Sequence, residues 1–152
     1  MRVMMMKSKK KVPHSLFEEK EYNIMSWVGF WRANPHRFVE DYLGLHIFFF
    51  QKVLIYLMNH TSIFVFIAAR GMGKTYLTAI FAVMRCILYP GTKVVIAAPT
   101  KSQSKEVITK IKDLYNESEA LRSELNSPRD IKEGANNAGV DFKNGSTIRT
   151  VV

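Results

Sequence analysis

The 152 residues hold one cysteine, Cys86, which excludes an internal disulfide and any cysteine-based metal cluster. Its setting, "MRCILY", suits a small buried hydrophobe better than a nucleophile, and a lone thiol fits a reducing cytosol. The four histidines, at 14, 36, 46 and 60, show no metal-ligand spacing and read as structural. Long apolar runs are missing too. The most membrane-like stretch, "LHIFFFQKVLIYLM" at 45–58, is 14 residues long and interrupted by Gln51 and Lys52. A membrane span needs roughly 20 apolar residues, so this stretch reads as a buried helix and no membrane partner is expected. "MRVMMMKSKKK" has too short an apolar run for a secretory signal and turns basic after it.

Acidic residues are scarce as well: 13 stand against 22 lysines and arginines, for a net charge of +9. The excess favours a polyanionic partner, either nucleic acid or an anionic membrane surface, and charge alone does not separate this from a solvated basic surface. Part of it is local, because "KSKKK" at 7–11 supplies four of the 22 basic residues. Residues 1–20 are therefore expected to form a basic flexible leader with a turn at Pro13.

Beyond the leader, 21–61 is aromatic-rich and reads as a helical segment. Asn34-Pro35 marks a turn or helix start, "HRFVEDYL" follows it, and "HIFFFQKVLIYLMNH" forms a second helix. The pattern then changes. "SIFVFIAA" at 62–69 is a continuous β-branched and aromatic run, as a buried parallel strand requires. A helix over 74–89 follows, with Leu77, Ile80, Phe81, Met84 and Leu88 on one face, and Pro90-Gly91 ends it. "KVVIAAP" at 93–99 is a second strand, and "TKSQ" at 100–103 has the form of a capping box opening a helix with Val107, Ile111 and Leu114 on one face. Strand–helix–strand–helix over 62–116 predicts an α/β fold with a parallel sheet. Residues 116–130 read as a polar, exposed segment, helical or loop, and 132–139 as a loop, and Asn144-Gly145 joins two strand-like arms in a hairpin. There are no internal repeats, and 62–152 is read as one partial core.

The chemistry concentrates between the first strand and its helix. A phosphate-binding loop needs Gly, four residues, Gly, Lys and Ser or Thr between a strand and a helix. Here Ala68 stands first, followed by Ala69, Arg70, Gly71, Met72, Gly73, Lys74 and Thr75. Gly71 and Gly73 permit positive φ and close backbone approach, so successive N–H groups can turn toward phosphate oxygens. Lys74 would neutralise the β and γ phosphates, Thr75 would offer its hydroxyl to Mg²⁺, and the helix N-terminus adds its dipole. Arg70 has two readings. Its guanidinium either folds onto the γ phosphate as an arginine finger in cis or pairs with a nearby acid on the surface.

Together these residues resemble the large subunit of a tailed-phage terminase, the ATP-driven motor that packages double-stranded DNA into procapsids. The family's loop carries a small residue, Arg, two residues, then Gly-Lys-Ser/Thr, which "ARGMGKT" matches at 69–75. "WRANPHRFVEDYLGL…FFFQKVLIYLM" resembles the segment where that family places an adenine-contacting glutamine, and Gln51 is the residue carried over. "KVVIAAPTKSQS" resembles its second strand and following Ser/Thr-rich loop, and "FKNGSTIRTVV" its NGS-type hairpin; the resemblance covers roughly 27–152. It implies a RecA-like (ASCE) P-loop fold, ATP and Mg²⁺ as cofactors, a finger role for Arg70, and action in the host cytoplasm. Implied partners are double-stranded DNA and, for the parent motor, a terminase small subunit, a portal protein and further copies of itself.

The resemblance also implies parts this sequence does not contain. After Thr75 no apolar run ends in Asp-Glu to hold Mg²⁺ and activate water, and no acidic nuclease cluster follows. The chain is therefore expected to be the N-terminal part of a larger motor, cut short or split, that binds nucleotide weakly and hydrolyses little. Other classes fit parts of the sequence. A helicase-like ATPase shares the strand–loop–helix logic and an upstream glutamine. A non-catalytic nucleotide- or DNA-binding module would use the basic leader and surface, and a degenerate gene fragment would have no independent function.

Overall fold

The computed structural model describes residues 16–134 and 138–151, so most of the expected leader lies outside the described residues. Helix α1 (Leu16–Ala33) opens within the last residues of that stretch. A single turn, α2 (Pro35–Arg37), has Pro35 at its start and continues as a wider π-helical turn over Phe38–Tyr42. The second predicted helix is α3 (Phe49–His60), shorter at its front than the sequence suggested. Helix α4 (Lys74–Leu88) follows its expected range closely, then come β1 (Lys93–Ala97) and α5 (Lys101–Glu117). At the start of α5 the Thr100 hydroxyl accepts from the Gln103 N–H at 3.3 Å, the cap that "TKSQ" encoded.

Three sequence expectations need correction. The first concerns the sheet, which is mixed rather than parallel. Four strands, β1, β2 (Ile131–Glu133), β3 (Ala138–Asp141) and β4 (Thr147–Val151), lie in the order β1-β4-β3-β2. β1 and β4 run parallel, with Val95 opposite Arg149, whereas β3 is antiparallel to both β4 and β2. Connection length explains this. The tight Asn144-Gly145 turn, with Gly145 at φ 81°, can join only antiparallel strands; the long crossover through α5 and α6 carries the chain from β1 to β2 at the far edge, and two antiparallel steps, β2 to β3 and β3 to β4, then set β4 parallel beside β1.

The second correction concerns 62–69, which form no strand. The stretch still alternates: Phe64 and Phe66 are half-buried, while Ile63, Val65 and Ile67 are 86%, 82% and 98% exposed. Its composition suits a strand, but a strand also needs a neighbouring backbone to pair with. None of the four described strands pairs with it. The third is the polar stretch 116–130. Its helical reading holds in α6 (Glu119–Ser123), but the expected exposure does not, because Ser118, Leu121 and Leu125 are buried. Of the expected loop at 132–139, Lys132 and Glu133 belong to β2 and Ala138 and Gly139 to β3, while 135–137 lie outside the described residues.

The core forms where α4 and α5 pack against one face of the sheet. α4 buries Leu77, Ile80, Met84 and Leu88 on its predicted stripe, together with Ala79, Ala82, Val83 and Cys86. α5 contributes Val107, Ile108, Ile111 and Leu114, and the sheet adds Ile96, Val140 and Ile148. At the end of α4 every one of the last four carbonyls finds a donor, which a buried helix end requires. Arg85 O accepts from Tyr89 N–H, Leu88 O accepts twice from the Arg32 guanidinium at 2.7 and 2.9 Å, and the Arg32 and Arg85 guanidiniums flank the Tyr89 ring. Cys86 O accepts from Asn144 Nδ2 at 2.7 Å and Ser146 Oγ at 2.8 Å, and Ile87 O lies 3.4 Å from the same amide nitrogen. The Asn-Gly-Ser turn is thus a clasp from the hairpin onto α4. Among the described residues no helix is long and apolar enough to cross a membrane.

Candidate functional site

Residues 68–75 lie between the unpaired segment and α4, and two left-handed glycines shape them, Gly71 at φ 83° and Gly73 at φ 72°. Gly73 is the N-cap of α4, so the loop runs directly into the positive end of a 15-residue helix with no acidic residue in its first turn. A side chain at position 73 would be strained, and its Cβ would come 3.2 Å from Gln51 Nε2. Lys74 folds back along the loop, its ammonium donating to Ala68 O at 2.5 Å and Ala69 O at 2.9 Å. Thr75 is half-buried on the first turn, and Met72 is 48% exposed. Arg70 is exposed and pairs with no acid among the described residues, so the surface ion pair weighed for it is not formed.

Two clefts border the loop and share Gly71, Gly73 and Tyr76. One, of about 360 Å³, is lined by Ala69, Arg70, Gly71, Gly73, Lys74, Thr75 and Tyr76 together with Glu106 and Lys110 of α5. The other, of about 450 Å³, is lined by His46, Phe48, Phe50, Gln51, Gly71, Met72, Gly73 and Tyr76. The first is rich in cations. The second is an aromatic slot whose Phe48 and Phe50 rings lie nearly parallel, 7° apart in plane with centroids 6.1 Å apart. Tyr76 borders both, and burial first and Glu117 second hold its hydroxyl above the ordinary tyrosine range.

Gln51 has a structural duty as well. It is 5% exposed, and its Oε1 accepts from the Phe48 N–H at 2.9 Å, capping the start of α3. The amide nitrogen is thereby turned toward Gly73 and the aromatic slot. The sequence-selected residues 68–75 and Gln51 thus meet at one place, with Gln51 reaching it from a different helix.

Glu106 and Lys110 were not visible as site residues in the sequence. They stand four apart and so share one side of α5, but nothing local indicates that this side passes the loop. The Lys110 ammonium also donates to Asp113 Oδ2 at 2.9 Å, which raises its pKa. No group of three or more His, Cys, Asp or Glu among the described residues could hold a metal ion. A divalent cation here would depend on the Thr75 hydroxyl and on anionic oxygens of a ligand, the usual manner for Mg²⁺.

Comparison with protein families matches residues 65–148, more than half of the chain, to the family described as terminase large subunit, T4likevirus-type, N-terminal. The match spans the loop from Ala68, α4, β1, α5 and the hairpin turn, and begins after Gln51. No curated protein matches the chain.

Proposed function

Because the chain belongs to the T4-like terminase large-subunit N-terminal family, we propose that residues 68–75 are the phosphate-binding loop of an ATPase that drives phage DNA packaging. One observation carries this reading. A loop with two left-handed glycines feeds a helix N-terminus and is bordered by a cationic cleft and an aromatic slot. That arrangement suits a nucleoside triphosphate lying across the loop, base in the slot and phosphates against the helix end.

The chain's own groups then divide the work. The α4 first-turn N–H groups and the glycine-rich backbone bind phosphate oxygens. Lys74 exchanges its two carbonyl partners, Ala68 O and Ala69 O, for β and γ phosphate oxygens. Thr75 contributes its hydroxyl to the Mg²⁺ that travels with ATP, and that ion supplies charge neutralisation at the phosphates. Arg70, with no acid to hold it, supplies a guanidinium to the γ phosphate, and Gln51 offers its amide to the adenine. This reading places the chain in a RecA-like P-loop core. It takes double-stranded DNA as the substrate moved, with the small subunit, portal and sister copies as partners of the motor in the host cytoplasm.

Titration with a non-hydrolysable ATP analogue in Mg²⁺ tests it. Lys74→Ala is expected to weaken binding at least about tenfold, the worth of one charge-assisted hydrogen bond at a phosphate. Gln51→Ala should weaken ATP more than a base-free triphosphate. Unchanged affinity on Lys74→Ala, with the fold intact by circular dichroism, would remove the basis for the proposal.

A further inference from the structure

Glu106 and Lys110 line the cationic cleft beside Arg70, Lys74 and Thr75, and both come from α5 rather than from the loop or its helix. Neither side chain is part of the apolar core, and the Lys110–Asp113 ion pair lies at the surface with side chains 43% and 49% exposed. Their position is therefore not explained by packing. We propose that this pair reads the metal-loaded terminal phosphate, so that α5 distinguishes a triphosphate from a diphosphate. The inference rests on the reading of 68–75 as a phosphate-binding loop.

The chemistry follows from charge. An ammonium has three donors, and Lys110 spends one on Asp113. The remaining two are free for phosphate oxygens, and the flexible stem lets the charge follow the ligand. Lys74 lies on the helix that would receive the phosphates, whereas Lys110 borders the same cleft from α5, so a phosphate chain that extends past Lys74 along the cleft meets it. Glu106 has the opposite sign. Its carboxylate repels bare phosphate and becomes favourable only when a divalent cation stands between them. A lysine and a carboxylate one turn apart thus favour a phosphate that arrives with its metal.

Such a device acts on α5, which packs against α4 and buries Val107, Ile111 and Leu114 in the core. Loss of the terminal phosphate would release Lys110 to Asp113 alone, so the ligand's state would be felt on a core helix.

The full chain can be titrated with ATPγS and with ADP, each in Mg²⁺ and in chelator, with circular dichroism verifying that each variant is folded. Lys110→Ala is expected to weaken ATPγS about tenfold in Mg²⁺ while leaving ADP within about twofold. Glu106→Gln should tighten ATPγS in chelator and so narrow the advantage that Mg²⁺ gives. Asp113→Asn, which keeps the Lys110 charge, should leave the ratio of the two affinities in place. The proposal is overturned if Lys110→Ala lowers both ligands equally, or neither, while Lys74→Ala abolishes both. An unchanged Mg²⁺ dependence in Glu106→Gln overturns the carboxylate's part. If Lys74→Ala binds both ligands like the parent chain, it is the loop reading that fails.

Discussion

Removal of the Ser146 hydroxyl and the Asn144 amide, singly and together, tests whether the hairpin clasp holds α4. Ser146 is fully buried. Its Oγ donates to Cys86 O at 2.8 Å and accepts from the Thr92 N–H at 3.1 Å. Thr92 N–H also reaches Tyr89 O at 3.2 Å, so Ser146→Ala leaves that donor partly served, and Cys86 O keeps Asn144. The deletion removes one oxygen and leaves little cavity, so a cost of about 1–2 kcal/mol is expected from the hydrogen bonds alone. Asn144→Ala removes the bonds to Cys86 O and to the Ser146 N–H, for a cost of about 1 kcal/mol. The double variant differs in kind, because Cys86 O, in the last turn of α4, then has neither partner. An orphaned buried carbonyl costs about 1–3 kcal/mol, so the pair should lose roughly 1 kcal/mol more than the sum of the singles. Urea unfolding followed by tryptophan fluorescence, with the slope checked for constancy, measures all three. In melting temperature each kcal/mol corresponds to about 2–4 °C for a chain of this size. Strict additivity, or a Ser146→Ala change below about 0.5 kcal/mol, would refute the clasp.

Two further outcomes follow from the core. Gly139 on β3 has no room for a side chain, since a Cβ there would collide with the Ile148 carbonyl oxygen and press on the Arg149 side chain. Gly139→Ala should cost at least about 2 kcal/mol by forcing the β3–β4 pair apart, and a melting temperature within a degree of the parent would contradict it. Burial pushes the Cys86 thiol up to about 12, and burial plus the hydrogen bond to Glu124 raises the Tyr42 hydroxyl to about 12. Both groups are held neutral in the folded chain and ionise earlier when unfolded. Their contribution to stability is therefore complete below pH 9 and declines as pH rises from about 9 toward 12. Cys86→Ala together with Tyr42→Phe should flatten that decline, and an unaltered slope of unfolding free energy against pH would exclude these groups as its source.

Elements whose burial pattern is local were legible in the sequence. α4 announced itself through Leu77, Ile80, Met84 and Leu88 at helical spacing, and α5 through Thr100 and its apolar face. α1 was legible only as part of a helical segment over 21–61, because Trp27 and Phe30 are exposed along with Ile24 and Met25 and no clean stripe sets its bounds. Residues 62–69 show the opposite failure, because strand composition is a property of the segment but pairing belongs to its neighbours. The orientation of the sheet was missed for a related reason: short turns and long crossovers were both present, and only their combination gives a mixed sheet. At the candidate site, the loop motif singled out 68–75 and the resemblance pointed to Gln51, and the fold brings Gln51 beside Gly71 and Gly73. Glu106 and Lys110 reach the loop through tertiary packing, which no spacing within α5 encodes.

The loop's two flanks are unequal, and that has a consequence for any anion it holds. On the α4 side the backbone continues into a helix locked at both ends, with Gly73 O accepting from Leu77 N–H at 2.8 Å and Arg32 and the hairpin at the far end. On the other side Ile63, Val65 and Ile67 keep their outer faces in water, an unrealised burial of about 1.5–3 kcal/mol for each side chain. The loop is thus tied firmly into the core on one side and borders an uncovered apolar face on the other. A surface that covered Ile63, Val65 and Ile67, and did so better when the loop held its anion, would raise affinity at the loop by the same factor by which the anion favoured that covering.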